Sequence, residues 1–288
     1  MKLSKTIALL LSCTLLLLTA GCGTSPKPAP SAAPEVTSTP AVTATPEPTA
    51  TPEPTPTATP EPMFTNPLTG EQTYTDYSQT RPVAIMVENN HWDDGTLIAQ
   101  GGLSQADIVY EMQVESITRN MFLFMNTDGL NNVFPIRSAR SYFVSAALSY
   151  DAIFAHCGKS GEGLEFADTM LVNYTDADDI EVHEGSCGFR QYDAPYFGAV
   201  HSMTTTGERL QDLFAQYGTR TTHRTDGYDY GLHFTEDAAP VNGEAAGSIH
   251  IVFPTNKITD FSYDAEKGGY TSTQWNSAYT DGNTGESV

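Results

Sequence analysis

Positive charge is scarce in this chain. Lys and Arg together number 14 of 288 residues against 35 Asp and Glu, for a formal net charge of −21. Nucleic acid and anionic lipid surfaces both reward a basic partner, so neither fits this balance. Cysteine is scarce too, with four in all. Cys13 and Cys22 fall in the first 22 residues, which leaves Cys157 and Cys187 for any folded part. In an oxidising compartment these two could form one disulfide, closing a loop of about thirty residues and stabilising by about 3 kcal/mol; two buried free thiols is the other expectation. No long membrane-spanning run is present, because the apolar stretch 7–18 is shorter than the ~20 residues a span needs. No G-x-S-x-G, H-E-x-x-H or P-loop pattern appears either.

What is present at the start is an address. MKLSKTIALLLSCTLLLLTAGC (1–22) has a short positive region at Lys2 and Lys5, an apolar core of signal-peptide length, and the ending Leu-Thr-Ala-Gly-Cys. That ending resembles a bacterial lipobox, with Thr19 where Leu is more usual. It predicts cleavage before Cys22 and lipidation of Cys22, hence a membrane-anchored protein on the outer face of the bacterial cell membrane. Residues 23–62 repeat TPEPTA-like units without a single aromatic residue. Proline interrupts every helix or strand there, so a disordered stalk is expected. In extended polyproline form its forty residues could reach up to ~120 Å. Beyond it, residues 63–288 keep 31 acidic and 11 basic side chains.

The folded part reads as α/β. "RPVAIMVEN" (81–89) is a compact apolar run, expected as a buried strand. In "DIVYEMQVES" (107–116), Ile108, Tyr110, Met112 and Val114 alternate with Val109, Glu111, Gln113 and Glu115, as a half-buried strand requires. "RNMFLFMN" (119–126) follows a short turn and should pair antiparallel with it. "NVFPIR" (132–137) is the next expected strand. Ser138 then serves as N-cap of a helix over 138–150, which bears Tyr142, Phe143, Ala146, Ala147 and Tyr150 on one face. "DAIFAHCG" (151–158) should return parallel to 132–137, and 161–171 should be helical. "TTTGERLQDLFAQYG" (204–218) reads as a helix capped by threonine and ended by Gly218. After about residue 230 the texture is β, with a strand at 247–254 and a hairpin around Lys267-Gly268-Gly269. The chain stops after the turn-like "TDGNTGESV", which predicts a truncated C-terminal unit. The expectation is therefore a mixed sheet with flanking helices (63–230), followed by a smaller β-rich unit (231–288).

Strand directions give "PIRSARSYF" (135–143) its interest. They bring Glu115, Arg119, Arg137, Arg140 and His156 to one sheet edge, the carboxyl end of the parallel strands, where α/β sheets bind ligands. With Ser138 as N-cap, the helix dipole would face the same place. Arg140 in a first helical turn is a cation set against that dipole, and an anionic ligand gripped by guanidinium groups would account for it. The bland account pairs the arginines with Glu115, Glu111 or Asp107. His156-Cys157 with His183 and Cys187 contains the ingredients of a zinc site, but adjacent ligands would have to diverge awkwardly, and no metal is predicted. His201-Ser202 could reach the same edge, or simply cap the next helix.

The stretches "NPLTG…RPVAIMVEN", "GLSQADIVYEMQVESITRNMFLF", "FPIRSARSYFVSAALSYDAIFAHCGKS" and "VHSMTTTGERL" together resemble the YerB-like lipoprotein family from about residue 65 onward. The resemblance implies a lipid-anchored protein with an α/β N-terminal domain and a smaller β-rich C-terminal one, the latter continuing past the end of this chain. It implies architecture and location rather than chemistry. Glu115, Arg119, Arg137, Arg140 and His156 fall on the family's motif positions. Phe134 stands where Gly is commoner, Glu88 where Asp is usual, and Ser202-Met203 where Asn-Leu is common; the last weakens a catalytic role for His201.

The functional expectation is an anionic cell-envelope ligand, or a protein partner, bound by Arg119, Arg137, Ser138, Arg140, His156 and Glu115, with no cofactor and no nucleic acid. The alternatives are an envelope enzyme, hydrolytic or phosphoryl-transferring, with His156 or Glu115 as acid–base, and an interaction scaffold.

Overall fold

The computed structural model describes residues 61–159, 179–192, 201–235 and 243–288. The signal segment with Cys22, the stalk as far as residue 60, and the helix expected at 161–171 lie outside the described residues.

A two-stranded ladder of β1 (Phe64–Thr65) and β2 (Gln72–Thr73) precedes the main sheet. That sheet comprises β3 (Val83–Asn89), β4 (Ile108–Gln113), β5 (Thr118–Phe124), β6 (Ile153–His156) and β7 (Asp179–Glu181), in the order β4-β5-β3-β6-β7. β5 runs antiparallel to β4 and β3, whereas β6 and β7 continue parallel to β3. The sheet is therefore mixed. β3 lies at its centre, and all seven of its residues are buried, which is why its sequence is a continuous apolar run rather than an alternating one.

Period-two alternation divides the core between the two faces. Val83, Ile85 and Val87 of β3 join Phe122 and Phe124 of β5 on one side. There they meet Leu210, Leu213 and Phe214 of helix α2 (Gly207–Tyr217). Ala84 and Met86 join Met121, Leu123 and Phe154 on the other, under Phe143, Val144 and Ala147 of helix α1 (Ser141–Ser149). Burying each of these phenylalanines is worth about 1.5–3 kcal/mol, so both layers are strongly held. Among the described residues, one helix on each face gives the α/β layering that the sequence predicts. α2 also has the expected ends: Thr206 Oγ1 accepts from the Arg209 N–H (3.3 Å), and Gly218 closes the helix at φ 65°.

Two expectations fail together around Pro135. Residues 132–137 do not form a strand of the main sheet; they make isolated bridges to three partners, Val133 with Thr205, Phe134 with Gly101, and Ile136 with Val87. Proline has no N–H to give to a ladder, which keeps this stretch from continuous pairing. In consequence β6 is parallel to β3 rather than to 132–137. Ser138 is not the N-cap either. Ala139 is still extended, its N–H bonded to the Gly158 carbonyl (2.9 Å), so α1 begins at Ser141 with Arg140 in the cap position.

Phe134 is accommodated by missing side chains opposite it. A Cβ on Gly101 would stand 2.0 Å from its ring, and one on Gly282 2.8 Å. Any larger residue at either glycine would have to displace a fully buried ring.

A second ladder, β8 (Phe189–Arg190) with β9 (Met203–Thr204), leads into α2. The C-terminal part is an antiparallel meander of β10 (Ser248–Val252), β11 (Ile258–Asp264), β12 (Gly269–Gln274) and β13 (Ser277–Ala278). Its hairpin closes at Asp264 opposite Gly269. The segment after β13 returns to the main sheet: Tyr279 joins the α2-side core, and the buried Asp281 accepts from the Ser104 N–H (2.8 Å).

Candidate functional site

The strand directions place the ends of β3 and β6 and the start of β5 at one edge. Glu88 and Arg119 are direct cross-strand partners there, on the face covered by α1. Both are buried, Glu88 to 1% and Arg119 to 5% exposure. Glu88 gathers two partners: His201 Nδ1 lies 2.6 Å from its Oε2, and Arg137 Nη1 lies 3.6 Å from the same oxygen. The edge of the Trp92 ring packs against His201 at 4.8 Å between centroids.

Arg140 forms the second half of the edge. Its Nε and Nη2 donate to the two oxygens of Glu115 at 2.7 and 2.9 Å, a two-pronged pair. Its Nη1 donates to the carbonyls of Ala139 (2.9 Å) and Ser138 (3.2 Å). The hydrogen bond from Arg140 holds the Glu115 carboxyl down at about 2, against a burial effect that would raise it. Glu115 is thus a poor general base, and Arg140 has little donor capacity left.

Arg119 differs. Its Nη1 donates to the Ser138 carbonyl (3.0 Å), while its Nε is buried with no hydrogen-bond partner. Burial, followed by the nearby charges of Arg137 and Arg140, pulls it down to about 10. Ser138 enters the site through its carbonyl, shared by Arg119 and Arg140, and not as a helix cap.

His156 is held by other partners. Its Nε2 lies 2.7 Å from Asp179 Oδ1 on β7 and its Nδ1 2.9 Å from the Gly158 carbonyl, and its side chain is fully buried. Burial pushes the Asp179 carboxyl up, but His156 and Lys159 outweigh that and hold it below the ordinary range. With both ring nitrogens occupied, His156 braces β6 against β7 and has no open face for acid–base work.

Cys157 and Cys187 are both free thiols, so the possible disulfide is not formed. Burial pushes both thiols up, which keeps them protonated and unreactive at neutral pH. Among the described residues, no group of three or more His, Cys, Asp or Glu could hold a metal ion.

Of the six ligand-site residues predicted from sequence, five gather at one edge, while both ring nitrogens of His156 are taken by Asp179 and the Gly158 carbonyl. The sequence pattern gives Glu88 no role in the site and His201 no partner. The signal for Glu88 was available: an acid closing an otherwise apolar strand has to be buried with a cation beside it.

Comparison with known proteins agrees with this architecture. The crystal structure of the YerB protein from Bacillus subtilis superposes with a TM-score of 0.62 at 26% identity, covering 78% of this chain and 72% of that one. "Putative lipoprotein YerB" of Bacillus subtilis (strain 168) is 31% identical over 226 residues, which is 77% of this chain and 63% of that relative. The chain thus spans less than two thirds of that relative's length. Residues 68–220, which carry the whole arginine edge, match the family model described as the N-terminal domain of a protein of unknown function, DUF3048. The chain belongs to the DUF3048 family.

Proposed function

We propose that the protein is a lipid-anchored envelope binding protein that takes an anionic ligand at the Arg119–Arg137 edge. The anchor is Cys22, the stalk is residues 23–62, and the ligand site stands away from the membrane on the outer face. The name of the Bacillus subtilis relative supports the lipoprotein part of this reading.

One observation carries the ligand part. Arg119 is a buried guanidinium set close to two others, with Nε unmatched and a single shared carbonyl on Nη1. Among the described residues, three guanidinium groups gather against the carboxylates of Glu88 and Glu115, in a protein of net charge −21. A bound oxyanion would accept from Arg119 and Arg137 and relieve their mutual repulsion. In this arrangement Arg140 and Glu115 hold the 138–139 carbonyls in place, and Glu88 orients Arg137.

The test is a thermal-shift titration of the purified protein with phosphate and with pyrophosphate. Pyrophosphate should raise the melting temperature of the wild type and leave that of Arg119→Met unmoved, while Arg140→Met keeps a response. No shift in the wild type, or an equal shift in Arg119→Met, would remove the arginine edge as an anion site and turn attention to a protein partner.

An enzyme is the second reading, and it rests on Glu88 and His201 rather than on His156 or Glu115. A carboxylate taking the Nδ1 proton of an imidazole leaves Nε2 as the group that can exchange protons with a ligand. Release of p-nitrophenol from a phosphoester, lost in His201→Gln, would favour it over simple binding.

A further inference from the structure

A cavity of about 470 Å³ lies on the opposite face of the main sheet from the arginines, between β4–β5 and the C-terminal meander. That is within the ~300–1,000 Å³ of pockets that take small molecules. Its walls are apolar, with Val109 of β4 facing Ile249, Ile251, Phe261 and Tyr270 of the meander. Val109, Ile249, Ile251 and Tyr270 are all exposed.

Its floor is polar and almost completely paired. Glu111 accepts from Asn89 Nδ2 (2.9 Å), Thr118 Oγ1 (2.8 Å), Thr259 Oγ1 (2.9 Å) and the buried Lys257 Nζ, so its charge is matched within the protein. Tyr279 gives its hydroxyl proton to Gln100 Oε1 (2.6 Å) and accepts from Asn120 Nδ2 (2.6 Å). The side-chain carbonyl oxygen of Gln274, on a residue 2% exposed and lining the cavity, is buried with no hydrogen-bond partner.

An unmatched buried acceptor is costly, and an apolar pocket with one such acceptor defines its occupant. We propose that this cavity binds a neutral, chain-like apolar molecule bearing one hydroxyl or N–H donor, which it gives to Gln274 Oε1. An ionised carboxylate has no proton to give and would bring its charge to a floor made of the Glu111 and Gln274 oxygens. The cavity therefore selects a long-chain alcohol over the corresponding acid.

The experiment uses the purified protein and N-phenyl-1-naphthylamine, an apolar fluorophore with a single N–H. Saturable enhancement of its fluorescence is expected, reversed by decanol and not by decanoate. Gln274→Met keeps the volume and removes the acceptor. It should weaken decanol about five-fold, the worth of one neutral hydrogen bond, and leave the methyl ether of decanol unchanged. Ile251→Asp, on an exposed strand position, should abolish probe binding without unfolding the protein, checked by circular dichroism. The proposal is overturned by any of three results: no saturable signal, equal displacement by decanol and decanoate, or decanol binding unaffected in Gln274→Met. It is also overturned if light scattering shows a dimer that excludes the probe, since a second copy would then cover this face.

Discussion

The two ends of the main sheet carry the same kind of cluster and use it differently. At the amino end of β6, Arg81, Arg220 and His223 converge on Asp151: Arg220 contacts both of its oxygens at 2.8 and 2.9 Å, and His223 Nδ1 lies at 2.8 Å. Backbone carbonyls take further donors. Arg81 reaches Asp151 O (2.5 Å), Arg220 O (2.7 Å) and Ala152 O (3.3 Å), while Arg220 reaches Thr222 O (2.7 Å). The strap 219–230 then closes over them, with Tyr228 stacked on His223 at 4.3 Å and Tyr230 hydrogen-bonded to it. At the carboxyl end, among the described residues, three arginines meet two carboxylates, and Arg119 has one carbonyl that it shares with Arg140. Guanidinium groups in an acidic protein are therefore not a site in themselves. What sets the carboxyl end apart is Arg119, a buried guanidinium met by that one shared carbonyl.

The largest effect should come from the Asp151 end. Asp151→Asn keeps the shape, and Asn tolerates the φ of 48° found there, but it strands two arginines of which Arg81 has a fully buried side chain. Breaking such a pair by removing one partner costs about 3–5 kcal/mol. Urea denaturation should show a loss near the lower figure, since Asp151 keeps 21% side-chain exposure. Pyrophosphate binding at the far edge should survive in the fraction that folds. A loss of binding without a loss of stability would reverse the two assignments.

Arg119→Met inverts that pattern. Removing a buried cation that faces two others, and replacing it by an apolar chain of similar length, should change stability by less than about 1 kcal/mol and abolish the ligand response. Glu88 stays paired through Arg137 and His201. A loss of several kcal/mol on denaturation would mean that Arg119 is structural, and the two ends of the sheet would then be alike.

How far each end could be read in advance follows from where its acceptors lie in the sequence. Strand periodicity placed β3, β4, β5 and α2 correctly, because burial on one or both faces writes itself into local pattern. It places Arg119 at the sheet edge for the same reason, whereas Arg137 and Arg140 arrive there without the strand and helix cap that the pattern predicts. The failures are long-range. Pro135 breaks the expected strand into bridges whose partners, Gly101 and Thr205, are far along the chain, and that moves the helix start from Ser138 to Arg140. Asp179, which occupies His156 Nε2, lies 23 residues on, and the His201 that reaches Glu88 lies 113 residues on. Periodicity reports which face a residue occupies; it carries no information on which distant acid will meet it there. The cavity was hidden for the same reason. Val109 and Glu111 were legible as one face of a strand, but nothing in that strand announces Gln274.

The smallest effect gives the finest comparison, through pH. The hydrogen bond from Arg140 holds Glu115 at about 2 in the folded protein, below its ordinary 4.5. A carboxyl whose folded value is depressed binds its proton less readily than in the unfolded chain. Its contribution is fully present above about pH 4.5 and disappears as the pH falls towards 2. Glu115 is 62% exposed, so solvent screens the pair and its worth is about 0.5 kcal/mol rather than what the depressed value alone would imply. Glu115→Gln should therefore be less stable than wild type by that amount at pH 7, with the two denaturation curves converging near pH 2. Asp151, where burial pushes up but Arg220 and His223 prevail, is also lowered, so the Asp151→Asn gap should narrow over the same acid range from a much larger start. If instead the Glu115→Gln gap persisted undiminished at pH 2, the side chain would be acting through packing rather than charge. Arg140 would then be held by the Ser138 and Ala139 carbonyls alone, free to turn its other donors towards a ligand.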